Sequence, residues 1–222
     1  MGRQSRITRS STPKTSKEPK RGRGRPAAFD RRTALREAMK LFWERGYEGT
    51  SFDDLIAAMS ISASSFYNSF GSKERLYNEA VDQYLSETSN WFGRSLSEPG
   101  DTRAAFERLL QATAEAFTRG DLPAGCMISL AGTHVPPSLC SIRDLMMKHR
   151  ATSETALIER LRRGVTEGDL PPDTDVEVLA VYFSVLFRGM AVKARDGASR
   201  KRLLEVARVA MRAWPTSKKA SK

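Results

Sequence analysis

Residues 51–73 read SFDDLIAAMSISASSFYNSFGSK, and this stretch predicts two short helices joined by a tight turn. Apolar residues recur every three or four positions from Phe52 to Met59, which gives the first helix one apolar face. Ser51 stands just before this run, and Asp54 follows three residues later. This spacing predicts a cap, because a serine oxygen accepts from unpaired N–H groups at a helix start and a carboxylate suits the positive helix end.

The second helix of this stretch is predicted to follow Ser62, which can cap it, and to end at Gly71 in the left-handed conformation. Phe66 and Phe70 share its inner face. Its outer face is small, polar and uncharged, with Ser64 and Asn68 flanked by Ser65 and Tyr67. Such a face fits the major groove of DNA, where hydroxyls and amides meet base edges and phosphates. The stretch therefore predicts a helix-turn-helix.

Helices on both sides are predicted to cover the apolar faces of this pair. Residues 30–45 carry a core face that includes Ala38 and Phe42, and residues 73–89 carry Leu76 and Tyr84 on one face. No alternation typical of strands competes in the rest of the chain. The predicted fold class is therefore all-α.

The segment from Arg32 to Leu85 resembles the DNA-binding domain of TetR/AcrR-type transcriptional regulators. The resemblance is carried by ALREAMKLFWERGYEGTSFDDL and SSFYNSFGSKERLYNEAV, and most specifically by FYNSFGSKE at residues 66–74. It implies a homodimer with an N-terminal helix-turn-helix DNA-binding domain and a C-terminal helical ligand-binding and dimerisation domain. It also implies binding to a double-stranded DNA operator, with repression relieved by an unidentified small-molecule effector.

Carried over residue by residue, the resemblance implies a set of DNA contacts. Tyr67 and Lys73 are expected to hold phosphates, and the start of the second helix is expected at or near the bases. The residues expected to bind DNA in this domain are Ser51, Ser62, Ala63, Ser64, Ser65, Tyr67, Asn68 and Lys73.

The net charge of +11 is concentrated at the two ends of the chain. Residues 1–29 contain nine Lys or Arg and one acid, Glu18, which is a net +8, and residues 216–222 add three lysines. Residues 30–215 are neutral overall. Basic ends on a neutral body indicate a polyanionic partner, most simply DNA, although a solubilising tail has the same composition.

Residues 1–26 are predicted to be a disordered basic arm, because they contain almost nothing apolar. Within the arm, Arg23-Gly24-Arg25-Pro26 resembles an AT-hook. Glycine lets the backbone sit deep in the minor groove, and Arg23 and Arg25 would be attracted by the negative potential of a narrow groove. A plain solvated linker can have the same composition, so both interpretations stay open.

Four segments are predicted along the chain: the arm at 1–26, the DNA-binding domain at 27–88, a helical effector-binding and dimerisation domain at 102–214, and a basic tail at 215–222. Residues 95–101, SLSEPGD, are expected to be the loop at the domain boundary. Asp173 or Thr174 is expected to cap the helix that follows. The helices expected in the body cover 102–119, 126–132, 139–167, 175–194 and 200–214.

The resemblance also implies a pocket for the effector inside the body. Large apolar residues of the central helices are the expected lining, although the same residues suit a closed core. The predicted lining residues are Phe106, Phe117, Met127, Leu130, Tyr182 and Phe183.

The last two predicted helices, 175–194 and 200–214, need a partner, because the first of them is apolar nearly all round. They resemble the dimerisation pair of the family, which packs as a four-helix bundle across a twofold axis. An extra layer in a monomer core is the alternative. A dimer is favoured because one helix-turn-helix contacts too few bases for useful specificity.

Cys126, His134, Cys140 and His149 lack the spacing of a zinc site, and free cysteines are often small buried hydrophobes. No nucleophile elbow, phosphate-binding glycine loop or carboxylate motif is present, so neither a cofactor nor enzymatic activity is expected. The longest apolar run is about ten residues, against about 20 for a membrane span, and no secretory signal is recognisable. The protein is therefore expected in the cytoplasm without a membrane partner.

The function that follows is a sequence-specific transcriptional regulator. An architectural protein that coats DNA through its basic arm, without an effector, is the alternative. The two differ in whether they protect a selected DNA sequence or DNA in general.

Overall fold

The computed structural model describes residues 30–88, 90–132 and 137–216, and within these ranges it is all-helical with no strand. The arm, including Arg23 and Arg25, lies outside the described residues, as do His134 and most of the basic tail. The ten α-helices of the described ranges are α1 (Arg31–Arg45), α2 (Phe52–Met59), α3 (Ala63–Phe70), α4 (Lys73–Thr88), α5 (Asn90–Ser97), α6 (Thr102–Phe117), α7 (Met127–Leu130), α8 (Cys140–Glu167), α9 (Val176–Arg195) and α10 (Arg200–Ala210).

Helices α1 to α4 form the head of the molecule. The Asp30 side chain caps α1 by accepting from the backbone N–H of Arg32. Phe42 lies at the centre of the head core, where its ring packs edge-on against Tyr77 of α4 at 5.0 Å. Leu55 and Phe66 bring α2 and α3 into the same core, so the predicted apolar faces are confirmed.

The head shares its core with the rest of the chain, helices α5 to α10, which we call the body. Met127 of α7 and Met146 of α8 are buried in the same apolar cluster as the head residues. The Tyr77 hydroxyl donates to the Met146 sulfur at 3.8 Å. Helices α7 and α8 of the body are therefore in direct contact with α4 of the head.

The body has its own core between α6, α8, α9 and α10. Phe106 packs against Phe183 at 4.6 Å and against Trp214 at 5.2 Å. The crossing of α6 and α8 is close, because a side chain at Gly164 would overlap Thr102. Polar groups fix this crossing. The Thr102 hydroxyl accepts from buried Arg160, and the Thr102 backbone N–H donates to the Asp169 carboxylate at 2.8 Å.

Three local expectations are corrected by the structure. Residues 90–97 form α5, so the predicted loop at 95–101 is helical in its first half, where buried Leu96 packs against the body core. The cap of α9 is Asp175, which accepts from the Val178 N–H at 3.0 Å, rather than Asp173 or Thr174. The last helix ends at Ala210, and one 3-10 turn follows at Met211–Ala213.

Among the described residues, no helix is both long enough and apolar enough to cross a membrane.

Candidate nucleic-acid interface and effector cavity

The turn between α2 and α3 is built from side-chain caps and one left-handed residue. The Ser51 hydroxyl accepts from the Asp54 N–H at 3.0 Å while the Asp54 carboxylate accepts from the Ser51 N–H at 3.0 Å, which completes the capping box. Ser60 ends α2 with φ of 54°. Ser62 then caps α3 by accepting from the Ser65 N–H at 3.2 Å. These bonds fix the turn between α2 and α3.

The outer face of α3 is exposed and carries no charge. Phe66 and Phe70 are fully buried beneath it and anchor the helix to the head. The residues on the outside are Ser62, Ala63, Ser64, Tyr67 and Asn68, all exposed, and half-buried Ser65. A helix anchored on one side with hydroxyl and amide groups on the other has the form that fits a major groove.

Three hydroxyls cluster at the start of α3. The Ser62 oxygen lies 3.0 Å from the Ser64 oxygen and donates to the Ser65 oxygen at 3.0 Å. A hydroxyl has one proton and two lone pairs, so these groups can exchange their mutual bonds for bonds to base edges. The cluster can therefore donate or accept, according to the base it meets.

The ring of Tyr67 packs against neighbouring aromatic side chains, although the residue is 57% exposed. The ring stacks on Phe52 at 5.3 Å and meets Phe66 edge-on at 5.4 Å. Lys73, the other predicted phosphate contact, begins α4 with its ammonium 4.4 Å from the centre of the Tyr47 ring. Partial burial lowers the pKa of Lys73, but an ammonium on a flexible stem can still pivot toward a nearby phosphate.

Ser51 forms the predicted cap of α2, and this cap engages the hydroxyl that is also expected to bind DNA. Its hydroxyl donates to the Asp54 carboxylate at 2.6 Å, so the proton is not available to a phosphate in this arrangement. The residue fixes the start of α2 beside the turn. The prediction of a direct DNA contact at Ser51 therefore requires the Asp54 bond to break first.

The head as a whole is not basic. Residues 30–88 contain seven Lys or Arg and ten Asp or Glu, a net charge of −3. The positive charge that DNA binding requires is thus concentrated in residues 1–26, on the N-terminal side of the head.

Replacement Tyr67→Phe is expected to weaken operator binding by about 1 kcal/mol, or roughly fivefold in Kd, because it removes the hydroxyl that is predicted to bind a phosphate. The phenyl ring preserves the stacking on Phe52, so the melting temperature should not change. Fluorescence anisotropy with labelled DNA at fixed salt measures the effect. An unchanged Kd would remove the Tyr67 hydroxyl from the DNA contacts.

A cavity of about 160 Å³ lies where α4 of the head meets α5 to α9 of the body. Aromatic rings form much of its wall, including Trp91 and Phe92 of α5 and Phe187 of α9. Its polar side chains lie mainly on α8 and α9. The complete lining is Tyr84, Trp91, Phe92, Phe117, Cys126, Ile128, Ser129, Arg150, Ser153, Glu154, Leu157, Ser184, Phe187 and Arg188.

Of the six residues predicted to line a pocket, only Phe117 lines this cavity. Phe106 and Phe183 are fully buried in the body core. Met127 and Leu130 line a separate cleft beside α1, and Tyr182 lies on the outside of α9 with its hydroxyl 3.4 Å from the Ala210 carbonyl. The reason is helical phase: adjacent residues differ by about 100°, so Phe183 faces the core and its neighbour Ser184 faces the cavity.

Cys126, Cys140 and His149, the described members of the predicted cysteine and histidine set, do not form a cluster of metal ligands. Cys126 borders the cavity and accepts from the Tyr84 hydroxyl at 3.2 Å, whereas Cys140 is exposed at the start of α8. Burial lowers the pKa of His149. In the ranges the structure describes, no group of three or more potential metal ligands comes together.

Comparison with known proteins agrees with this architecture. Residues 34–80 match the model for bacterial regulatory proteins of the tetR family, and residues 103–211 match the model for the tetracyclin repressor-like C-terminal domain. The HTH-type transcriptional repressor ComR of Escherichia coli K12 is 35% identical over 88% of this chain and 94% of its own length.

Two solved structures extend the comparison. A cysteine-substituted form of the TetR family transcriptional regulator CifR, complexed with a 26-base-pair operator DNA, is 42% identical with a TM-score of 0.83. The match covers 86% of this chain and all of that one. A TetR regulator from Rhodococcus sp. RHA1 is 34% identical with a TM-score of 0.57, over 85% of this chain and all of the other.

Proposed function

Because the chain belongs to the TetR family of bacterial regulatory proteins, we propose that it is a repressor that binds a DNA operator as a homodimer and is released by a small molecule. The observation that carries the DNA-binding part is the exposed, uncharged outer face of α3, anchored by buried Phe66 and Phe70. A relative that is 42% identical was solved with operator DNA bound, and this supports the same activity here.

Recognition divides between two kinds of contact. The hydroxyls of Ser62, Ser64 and Ser65, with the Asn68 amide, meet base edges, and the exposure of Ser62, Ser64 and Asn68 supports this. Tyr67 and Lys73 flank them and bind phosphates, which positions α3 without specifying sequence. A bacterial repressor of this kind works in the cytoplasm, where the chromosome is.

The dimer is supported by an apolar stripe on the outside of α9. Val178, Val181, Val185 and Val192 are between 47% and 64% exposed, and their spacing of three, four and seven residues places them on one side of the helix. Val209 of α10 is a further exposed apolar residue, at 60%. A second copy that pairs α9 and α10 around a twofold axis would bury this stripe in a four-helix bundle.

The cavity can control the head because two contacts join its walls to α1. Tyr84 lines the cavity and packs edge-on against Trp43 of α1 at 4.8 Å. At the end of α9, Arg195 donates to the carbonyls of Trp43 at 2.7 Å and Glu44 at 2.9 Å. A ligand that displaces Tyr84 or shifts α9 would thus rotate the head relative to the body.

In a dimer, that turn changes the distance between the two α3 helices. Only one spacing fits successive major grooves, which are about 34 Å apart. The ligand acts by favouring the conformation with the other spacing, so it must bind that conformation more tightly.

Selection of bound DNA from a random pool, followed by sequencing, tests the proposal. The full-length protein is expected to enrich a palindromic sequence, and footprinting should show protection confined to that sequence. Enrichment of no sequence, with protection of DNA in general, would instead establish the architectural, DNA-coating function.

A further inference from the structure

Two guanidinium groups face the cavity described above without a carboxylate partner. Arg150 of α8 and Arg188 of α9 both line it, and neither forms an ion pair with a carboxylate of the described residues. Burial lowers the pKa of Arg150, and the like charge of Arg188 lowers it further. Arg150 is half-buried and Arg188 is exposed, so the pair combines one desolvated and one solvent-accessible positive group. Two positive groups near enough to repel each other favour an anion between them.

Arg150 is oriented by the backbone before any ligand arrives. Its Nη1 donates to the carbonyls of Ile128 at 3.1 Å and Ala131 at 2.9 Å. These two bonds use both protons of Nη1 and leave the N–H groups of Nη2 and Nε for another acceptor. A planar guanidinium held in this way suits a carboxylate, which can accept two parallel bonds.

The remaining lining restricts the size and charge of the ligand. Glu154 lies one helical turn from Arg150 and also lines the cavity, so the charged side chains sum to +1, which matches a monoanion rather than a dianion such as phosphate. The volume of about 160 Å³ is close to the roughly 150 Å³ of an apolar cavity that holds one benzene molecule. Trp91, Phe117 and Phe187 provide aromatic surface for such a ring.

We propose that the effector is a small aromatic monocarboxylate, bound through its carboxylate by Arg150 and Arg188 and through its ring by the aromatic wall. This inference rests on the proposed function, because it identifies the class of ligand that the same cavity would bind. It assigns specificity for negative charge to residues on α8 and α9, which the aromatic lining alone does not provide.

Isothermal titration of the full-length protein without DNA tests the ligand class. Benzoate and phenylacetate are compared with benzamide and phenylacetamide, which have the same shapes without the charge. We expect the acids to bind at least about tenfold more tightly, since charge-assisted bonds to a guanidinium are lost in the amides. Absence of binding by both acids, or equal binding of acids and amides, would overturn the proposal.

Variants of the cavity give effects of opposite sign. Arg188→Gln should lower the affinity for the acids about tenfold. It is preferred to a change at Arg150, because Arg150 also binds backbone carbonyls at α7. Glu154→Gln removes a repelling charge and should raise that affinity. Arg94→Gln, an exposed arginine of α5 outside the lining, is the matched control and should change neither. An Arg188→Gln protein that binds acids as tightly as the wild type contradicts the assigned role.

Release of labelled operator DNA by the same acids is measured separately. Acids that bind with the expected preference and release the operator support both the ligand class and the regulatory function. Acids that bind but leave the operator bound would sustain the ligand class and refute effector-controlled release.

Discussion

We expect deletion of residues 1–26 to lower operator affinity and to flatten its dependence on salt, while the folded protein remains intact. The deleted segment carries all nine basic residues of the arm and a net +8, whereas the head that remains has a net charge of −3. Each phosphate neutralised adds about 0.9 to the slope of log affinity against log salt, so the loss of half of the nine contacts would reduce the slope by about four units. The measurement is operator affinity over a series of salt concentrations.

The fold of the shortened protein should not change, because the arm has too few apolar residues to join a core. Circular dichroism and the melting temperature provide this control. Identical affinity and salt slope for the shortened and full-length proteins would reduce the arm to a solubilising tail.

The AT-hook interpretation is separable from simple charge. Arg23→Ala with Arg25→Ala should abolish a preference for A·T pairs beside the operator and lower the salt slope by about two units at most. Lys14→Ala with Lys17→Ala removes the same charge elsewhere in the arm and should keep the A·T preference. If both double variants change the slope equally and neither changes base preference, the arm acts through charge alone.

The second large effect is expected at the dimer face. Val185→Glu places a carboxylate at the centre of the α9 stripe, where Val185 is 62% exposed in the single chain. The free subunit should tolerate this change, because the new charge remains in water. In the dimer the carboxylate is buried without a partner, at a cost of several kcal/mol, so the protein should become monomeric and lose operator affinity.

Sedimentation or light scattering at micromolar concentration measures this result. Met147→Glu is the matched control, since Met147 is a 54% exposed apolar residue of α8 away from the stripe, and that variant should remain dimeric. A wild-type protein that is monomeric under these conditions, or a Val185→Glu protein that stays dimeric, would end the dimer proposal.

Leu186, the neighbour of Val185, would not give the same test of the dimer. The apolar sequence of α9 makes Leu186 an equally reasonable centre for a dimer seam. In the structure Leu186 is half-buried against the body core, so a glutamate there would destabilise the subunit itself. A loss of dimer in that variant could not be distinguished from a loss of fold.

The sequence alone determined the local features of this protein. The cap at Ser51, the burial of Phe66 and Phe70 and the uncharged outer face of α3 all follow from residues within a few positions of one another. The C-terminal limit of α8 follows equally, because Gly168 adopts the left-handed conformation there. Helix periods and caps are short-range, so a linear pattern records them directly.

The tertiary structure decided which side of each body helix faces which partner. The sequence does not predict the helix at 90–97, because its apolar residues, including Trp91 and Phe92, are few and are buried by distant helices. The cavity brings Tyr84, Arg150 and Arg188 together from three separate helices. Successive residues of α9 are about 100° apart around the helix, so neighbours in sequence can be a core residue, a cavity residue and an exposed valine. A helix that is apolar on most sides does not encode that phase, and only packing against the other helices sets it.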